Sequence, residues 1–372
     1  MLDLSAAFDV IDHGILYQRL EYTFGISGSA LAWIKSYLSN RSQPVAIGSA
    51  LSDSRALTIG VPQGWVLRPR LYCIFSKPID DICESHDMAN HWAHADDTQI
   101  YIVVEPRDNL SDISMKLTSC LSDIREWMCS NLLELNQDKT ELMIFAPKQR
   151  AKELTAFGGN IIHDIPYVKN LGAYFDRTLS MENECNVIAR SCFFHIRNIG
   201  CISHFISEDA CKMLVNALVI YRLDYGNALL YGITKNLTDK LQRVHNTAAR
   251  LIARTKKTEH ITSVLIRLHW PPVEYRSQYK LIIYVFKTLH GLAPVYLTEL
   301  VKPYVPSRSL HSQSASLLHV PTTRTKTYGN RRFDKTASTL WNNIPLQLKT
   351  VNSLSAFKSC LKTYLFKPAF RL

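Results

Sequence analysis

The chain has 372 residues, of which 47% are hydrophobic and 20% are charged. This composition argues against disorder over most of the length, and the length suffices for two or three cores at about 100–200 residues per domain. The net charge of +11 is unevenly divided: residues 1–145 carry 11 Lys and Arg against 19 Asp and Glu, and residues 146–372 carry 32 against 13. An acidic half suits a bound cation and a basic half suits a polyanion such as nucleic acid, although solubility alone explains such a division equally well.

Two classes of protein fit the sequence poorly. No stretch reaches the roughly 18 uncharged apolar residues of a membrane-spanning helix, and the start MLDLSAAFD lacks the basic residues of a secretory signal. The nine cysteines are odd in number, scattered and without a CxxC pair. A disulfide framework or a zinc site is therefore poorly supported, and free thiols in a reducing compartment are the simpler interpretation.

The first half of the chain alternates between helical and extended patterns. Apolar side chains recur at helical spacing over residues 10–38 and 108–133. Residues 43–60 alternate and are punctuated by Gly and Ser, which predicts a hairpin. The segment HWAHADDTQIYIVV predicts two strands joined by a tight turn that holds Asp96 and Asp97. Shorter elements are predicted as a helix over 66–74, a strand ending at 145, and a strand and turn over 167–176.

From about residue 180 the sequence is mostly helical. Four segments place apolar residues on one face and Lys or Arg on the other, over residues 183–203, 207–223, 236–256 and 272–290. Residues 303–330 are rich in Pro, Ser and Thr and predict an irregular linker. The segment LSAFKSCLKTYLF predicts a last helix near the end of the chain.

Three carboxylates have the pattern of a divalent-cation site. Asp3 lies at a predicted strand end, and Asp96 and Asp97 lie in the predicted hairpin turn. Strand-end and hairpin-tip carboxylates that meet can hold two Mg²⁺ ions, which activate an attacking hydroxyl and stabilise the leaving oxygen of phosphoryl transfer. The adjacent charges of Asp96 and Asp97 repel, and a cation relieves that repulsion. Taken by itself, an Asp-Asp pair in a turn is common, because Asp favours turns.

Five segments resemble the ordered motifs of reverse transcriptases. They are LDLSAAFDVIDH (2–13), FGISGSALAWIKSYLSNRSQ (24–43), GVPQGWVL (60–67), HADDTQIYI (94–102) and LELNQDKTELMIF (133–145). The likeness is greatest to the reverse transcriptases of LINE-type (non-LTR) retrotransposons, and it continues through residues 170–181, 268–297 and 324–346. It covers nearly the whole chain, and five motifs in family order are more specific than any one of them.

The resemblance implies a catalytic role for four residues. Asp3 would be the metal ligand of the first motif, Asp96 the second metal ligand, and Asp97 its neighbour in the acidic pair. Lys139 matches the lysine proposed to protonate the departing pyrophosphate, and a surface Lys in a loop is the equally supported alternative.

The resemblance implies nucleotide contacts for three further residues. Phe8 aligns with the bulky side chain that excludes a ribose 2′-hydroxyl, since an aromatic ring under the sugar leaves no room for it. Gln63 and Gly64 match the motif that contacts the incoming nucleotide and the template. A core Phe and a Pro-Gly turn are the structural alternatives at these positions. Residues 170–176 resemble the turn that grips the primer.

The implied fold is α+β: the palm of a right-hand polymerase, with a ferredoxin-like sheet, followed by a mostly helical thumb and C-terminal region. We expect the palm over residues 1–180, the thumb over 181–260 and a basic C-terminal region over 261–372, with the irregular linker near 303–330. The implied partners are an RNA template, a DNA primer, a dNTP and Mg²⁺, without a membrane. The life cycle of the family implies a location in the cytoplasm and nucleus.

The sequence departs from the family pattern in four places. His94 stands where the acidic hairpin usually opens with Tyr or Phe, and Trp65 stands where a small polar residue usually follows PQG. Arg68 and Arg70 replace a Gly and a Leu, and burying either guanidinium is costly unless it is paired. The chain also begins two residues before Asp3. We therefore expect an N-terminally truncated copy without fingers or endonuclease.

Three functions follow from these features. The first is an RNA-directed DNA polymerase whose activity is impaired by the truncation. The second is a non-catalytic nucleic-acid-binding relic of a retroelement, in which the basic half still binds with steep salt dependence. The third is a two-metal nuclease, which leaves GVPQG, Phe8 and Lys139 without a role.

Overall fold

The computed structural model describes residues 1–2, 4–5, 7–61, 64, 66–88, 90–94, 97–105, 107–136, 139–146, 163–305, 316–325 and 328–371. It divides the chain into two compact units, Met1–Val168 and Lys169–Leu372. Strands and helices are mixed in the first unit and helices dominate the second, which confirms the α+β class. Within the described ranges, no helix is both long enough and apolar enough to cross a membrane.

The described helices of the first unit share one hydrophobic core. They are α1 His13–Gln18, which continues as a π-helical turn over Arg19–Thr23, α2 Gly28–Leu38, α3 Arg68–Ser76, α4 Pro78–Ser85 and α5 Leu110–Ser130. Asp12 caps α1 by accepting a hydrogen bond from the Ile15 N–H at 2.9 Å, which satisfies one of the free donors at the helix start. Ile124 and Met128 of α5 and Phe75 of α3 are fully buried in this core. The helices predicted over residues 10–38, 66–74 and 108–133 are thereby confirmed, with a break between α1 and α2.

The strands of the first unit are short. They are β1 Leu4–Ser5, β2 Ser42–Gln43, β3 Ala46–Ile47, β4 Ala50–Leu51, β5 Arg55–Ala56, β6 Asn90–His94, β7 Asp97–Tyr101, β8 Glu134–Leu135, β9 Glu141–Leu142 and β10 His163–Asp164. The pairs β1–β8, β2–β5, β3–β4 and β6–β7 are antiparallel, and β9–β10 is parallel. The hairpin predicted over residues 43–60 is present as two nested antiparallel pairs. The hairpin predicted around Asp96 and Asp97 is β6 and β7, and its second strand ends at Tyr101.

A small hairpin leads into the second unit, which continues as helices. The hairpin is formed by β11 Tyr167–Asn170, which begins before Lys169, the first residue of the second unit, and by β12 Ala173–Asp176. The described α-helices of the second unit are α6 Glu182–Ile202, α7 Glu208–Val215, α8 Tyr221–Asp224, α9 Lys235–Ala253, α10 Ile261–Leu268, α11 Val273–Leu289, α12 Val295–Leu300, α13 Phe333–Asn343, α14 Leu346–Lys349 and α15 Leu354–Phe370. The predicted helices over 183–203, 236–256 and 272–290 are confirmed as α6, α9 and α11. The segment predicted as one helix over 207–223 is α7 and α8, joined by a π-helical turn over Asn216–Ile220.

Two large hydrophobic clusters of described residues stabilise the second unit. The first runs from Met181 to Val273 and is formed chiefly by α6, α7, α9 and α10. The second runs from Ile282 to Leu365 and is formed chiefly by α11, α13 and α15, where the rings of Phe286 and Phe357 stack with their centroids 4.2 Å apart. Helix α11 contributes Val273 to the first cluster and Phe286 to the second, so it belongs to both. The division into palm, thumb and C-terminal region stays a prediction.

All nine cysteines lie within the described ranges as free thiols. Cys83 on α4 and Cys120 on α5 are both buried in the core of the first unit. The interaction between the two thiols, together with burial, raises the pKa of Cys83, and the same interaction lowers the pKa of Cys120.

The guanidinium of Arg331 links two backbone segments of the second unit through three carbonyl groups. It donates hydrogen bonds to the carbonyl oxygens of Leu179 at 2.5 Å, Leu229 at 3.1 Å and Tyr231 at 3.3 Å. The Leu179 and Tyr231 carbonyls lie outside helices and strands, and the Leu229 carbonyl lies in a 3-10 helical turn over Asn227–Leu230. Because backbone carbonyls need a donor, this one side chain holds the Leu179 loop against the segment that carries Leu229 and Tyr231.

We predict that Arg331→Met destabilises the second unit by about 2–3 kcal/mol, because it removes charged hydrogen bonds and leaves the three carbonyls without their donor. The matched control is Arg324→Met. Arg324 is exposed, so its loss should cost under about 1 kcal/mol. Chemical denaturation followed by circular dichroism measures both changes. Equal losses would contradict the linking role of Arg331.

Candidate active site

The start of the chain is held by hydrogen bonds on both sides. The Leu2 N–H donates to the Thr98 carbonyl at 2.8 Å, next to the acidic hairpin. The Met1 amino group donates to the Glu141 carbonyl at 2.7 Å, and the Glu141 N–H donates back to the Met1 carbonyl at 3.0 Å. Further along, β1 pairs with β8, with Leu4 opposite Leu135. The chain start is therefore a central strand between the β6–β7 hairpin and the segment that carries β8 and β9.

The described part of the acidic hairpin includes one of its two predicted carboxylates. Asp97 is exposed, opens β7 and pairs with His94 across the hairpin. The next residue, Thr98, is buried and bonded to Leu2. Asp97 therefore lies beside the chain start. Asp3 and Asp96, the predicted metal ligands, lie outside the described residues.

Phe8 packs between an aromatic ring and a guanidinium. The ring centroids of Phe8 and Tyr72 are 5.2 Å apart, and the guanidinium carbon of Arg68 lies 4.2 Å from the Phe8 centroid. Arg68 also approaches Asp9 Oδ1 at 3.5 Å. The Arg68 side chain is only 15% exposed, so its burial is offset by the cation–π contact and the ion pair. Arg70 is exposed and avoids the cost of burial.

The GVPQG segment begins against the same loop that holds Phe8. The Val61 N–H donates to the Phe8 carbonyl at 2.9 Å, and the Gly60 N–H donates to the Ile11 carbonyl at 2.8 Å. The Nε2 of His13 donates to the Gly60 carbonyl at 2.8 Å. Gly60 has φ +82°, and a Cβ added there would lie 2.7 Å from the Asp9 carbonyl oxygen, so this position needs glycine.

The hydrogen bonds of Gly60 and Val61 bring the Phe8 segment and the GVPQG segment together. Gly64 follows Gly60 by four residues, is exposed, and has φ +80° with nothing within 4 Å of an added Cβ. Its backbone is therefore open to a ligand and favours glycine through its conformation. Gln63 and Trp65 lie outside the described residues. Sequence reasoning missed the parts that Gly60, His13 and Arg68 play here, because their partners meet them only in the fold.

Lys139 lies in the connection between β8 and β9. Its side chain is exposed, and its backbone N–H donates to Asn136 Oδ1 at 3.2 Å. Thr140 Oγ1 donates to the Asn136 carbonyl at 2.7 Å, which closes the turn. Two residues after Lys139, Glu141 is bonded to Met1. The turn thus connects Lys139 to the same central strand.

The segment predicted to grip the primer is the β11–β12 hairpin of the second unit. Leu171 has φ +44° and Gly172 has φ +86° at its turn. The carboxylate of Asp176 then accepts hydrogen bonds from the backbone N–H groups of Thr178, Ser180 and Met181 and from both hydroxyls, at 2.7–3.0 Å. Burial would raise the pKa of Asp176, but these hydrogen bonds hold it below its ordinary value. The spacing D-x-T-x-S is a sequence signal for this loop.

A metal ion needs more ligands than the described residues provide. No group of three His, Cys, Asp or Glu suited to a metal ion occurs among them. The donor chemistry does fit Mg²⁺, because Asp3 follows Leu2 and Asp97 precedes Thr98 in the sequence, and Mg²⁺ prefers oxygen ligands.

Comparison with known proteins decides the family. Residues 1–175 match the family model described as reverse transcriptase (RNA-dependent DNA polymerase). Residues 1–175 belong to the reverse transcriptase family. The motifs that surround Asp3, Phe8, Gly64 and Asp97 all lie within this reverse transcriptase region.

Curated relatives place the reverse transcriptase region among retrotransposon proteins. The chain is 25% identical over 239 residues to the RNA-directed DNA polymerase from mobile element jockey of Drosophila melanogaster, covering 62% of this chain and 25% of the relative. It is 25% identical over 271 residues to the probable RNA-directed DNA polymerase from transposon X-element of the same species, covering 68% of this chain and 28% of the relative. These names support the likeness to non-LTR retrotransposon reverse transcriptases. The matches span about a quarter of the length of these relatives.

We predict that Arg68→Met loosens the reverse transcriptase region around Phe8. The change keeps the aliphatic stem but removes the cation over the ring, which contributes about 1 kcal/mol. The amide of Val61, which is bonded to the Phe8 carbonyl, should then exchange with deuterium about fivefold faster. Arg70→Met is the control, because Arg70 is exposed on the same helix. The packing interpretation is wrong if the Val61 amide exchanges at the same rate in both variants.

We predict that Asp176→Asn destabilises the second unit by about 1–3 kcal/mol at neutral pH, because an amide accepts fewer hydrogen bonds than a carboxylate. The pKa of Asp176 is lowered from 3.8 by folding, so its contribution is complete above that value and is lost as the pH falls through the lower folded pKa. The difference between wild type and variant should therefore shrink below pH 3.8. Unfolding is measured as a function of pH, with the exposed Asp239→Asn as control. A difference that is independent of pH would contradict this account.

Proposed function

We propose that the chain carries out RNA-directed DNA synthesis, in which a primer 3′-hydroxyl attacks a dNTP on an RNA template. One observation carries the proposal: the Leu2–Thr98 hydrogen bond draws the chain start against the acidic hairpin. The residues next to these two in sequence, Asp3 and Asp97, are predicted site carboxylates. The family match over residues 1–175 supports the same reaction.

The proposed site holds Mg²⁺ with Asp3 and Asp96, while Asp97 completes the acidic pair. When bound, the metal ions activate the attacking hydroxyl and stabilise charge on the leaving phosphates. Lys139 is exposed in its turn and, in this proposal, donates a proton to the departing pyrophosphate. Of these residues, Asp97 opens strand β7 on one side of the chain start, and Lys139 lies in the connection between β8 and β9 on the other side.

The proposed nucleotide contacts come from the neighbouring loops. The ring of Phe8 is held from one side by Tyr72 and from another by Arg68, so it is a rigid obstacle for a ribose 2′-hydroxyl. Gly64, with its left-handed backbone, leaves space for the nucleotide, and the amide of Gln63 can hydrogen-bond to it. A dNTP is therefore the expected substrate.

We further propose the palm for residues 1–180, the thumb for residues 181–260 and nucleic-acid contacts for the basic helices beyond. The excess of Lys and Arg over residues 146–372 supports contacts to the phosphate backbone. The RNA template and DNA primer are the proposed partners, and the cytoplasm and nucleus are the proposed locations.

We predict that primer extension on an RNA template with dNTPs and Mg²⁺ falls by at least about 100-fold in Asp96→Asn, because a lost metal ligand costs several kcal/mol in the transition state. The matched control is Asp53→Asn, which makes the same charge change at an exposed position of the same unit. Binding of the primer–template is measured in parallel, to separate synthesis from affinity.

Two outcomes would contradict the proposed polymerase activity. Equal extension by Asp96→Asn and Asp53→Asn would show that synthesis does not use the acidic hairpin. The absence of extension in the wild type, with salt-dependent binding retained, would favour the non-catalytic relic. The contact of Arg68 with one face of Phe8 is the observation that favours the relic, because that guanidinium occupies space beside the ring.

A further inference from the structure

A cavity of about 500 Å³ lies along one face of α11 in the second unit. Helix α11 supplies Tyr275, Tyr279, Ile283 and Lys287, which lie at helical spacing on one face. It also supplies Arg276, Lys280 and Tyr284. Helix α15 faces them with Lys358, Lys362 and Leu365, which also share one helix face. The volume is within the range of about 300–1,000 Å³ that is typical of ligand sites.

The charges around this cavity are strongly positive. Among the described residues, five cations and one carboxylate line it. The carboxylate, Asp224, is occupied by Arg276, whose Nε donates to Oδ1 at 2.8 Å while Nη2 donates to the other oxygen. The remaining cations are Lys280, Lys287, Lys358 and Lys362. None of these four forms an ion pair with a carboxylate of the described ranges. Their charge is therefore available to an anionic ligand.

Flat rings and a free acceptor also line the cavity. Tyr275, Tyr279 and Tyr284 line the cavity together with the lysines. Asn227 is only 4% exposed, donates from Nδ2 to Asp224 Oδ1 at 3.2 Å, and has no partner for its own Oδ1 among the described residues. A buried acceptor without a donor is costly, so it is suited to a hydrogen-bond donor on a ligand. Inorganic phosphate or a lipid phosphate provides no flat ring to match the tyrosines.

We propose that this cavity binds an unpaired nucleotide of a single-stranded nucleic acid. The lysines contact phosphates on both sides of the nucleotide, and a base stacks on the tyrosines, in the way that aromatic side chains hold single strands. A base amine or a sugar hydroxyl donates to Asn227 Oδ1. A duplex cannot place a base in the cavity, because its bases are already stacked on one another. The site lies in the second unit and does not depend on polymerisation.

The test compares two pairs of lysines with the same change of charge. Affinity for a labelled single-stranded RNA of about ten nucleotides is measured by fluorescence anisotropy as a function of salt. Lys358→Gln with Lys362→Gln removes two cavity cations, and Lys257→Gln with Lys367→Gln removes two exposed cations elsewhere. We expect the cavity pair to lose at least about tenfold in affinity and about 1.4 in salt slope, and the control pair to lose less than about threefold.

A second pair of variants tests stacking. Tyr279→Leu should lose at least about fivefold in affinity, the lower limit for one stacked base, and Tyr279→Phe should retain it. Thermal melts verify that each variant is folded. A duplex of the same length should be weakened equally by the two lysine pairs. Single-strand affinity is measured without dNTP or Mg²⁺, so a failure of primer extension would not be confused with a failure of this site.

Three results would overturn the proposal. Equal loss of single-strand affinity in the two lysine pairs would show that the cavity lysines contribute only non-specific positive charge. Equal affinity of Tyr279→Leu and Tyr279→Phe would exclude stacking. A loss confined to phosphatidylserine vesicles, with RNA affinity unchanged, would assign the lysines to a membrane headgroup instead.

Discussion

The central strand at the chain start is the constraint on which the reverse transcriptase region depends. Its backbone is hydrogen-bonded to Thr98 on one side and to Glu141 and β8 on the other. Without it, the β6–β7 hairpin and the β8–β9 segment would each present unpaired backbone groups in the interior. The acidic hairpin and the turn that carries Lys139 are thus held in position by the same few peptide groups.

The sequence predicted the long elements of the fold better than the short ones. Helices α5, α6, α9 and α11 each have several turns of regular apolar spacing, which sets them apart from strands and loops. Helix α13 was missed because its buried face consists of Thr336, Ala337, Ser338 and Trp341. Small and polar side chains leave little periodic signal, and contacts formed in the fold, with α11 and with Phe357 of α15, make that face an interior one.

The candidate site was predictable at the level of segments but not of side-chain contacts. Sequence motifs placed Phe8 and the GVPQG turn in one site, and the structure joins them through the hydrogen bond from Val61 to Phe8. The partners of Arg68 were not predictable, because Asp9 and Phe8 are sixty residues away and meet it only after folding. The roles of all the candidate residues stay predictions: Asp3, Phe8, Gln63, Gly64, Asp96, Asp97 and Lys139.

The two hydrophobic clusters of the second unit have a consequence for folding cooperativity. Helix α11 belongs to both clusters, and Phe370, at the end of α15, packs against the first while Phe357 of the same helix is buried in the second. Neither cluster is complete without the two shared helices, so residues 181–372 should melt as one cooperative body. A fragment that ends near residue 260 would lose Trp270 and Val273 from its core, and it would be a poor surrogate for the intact helical unit.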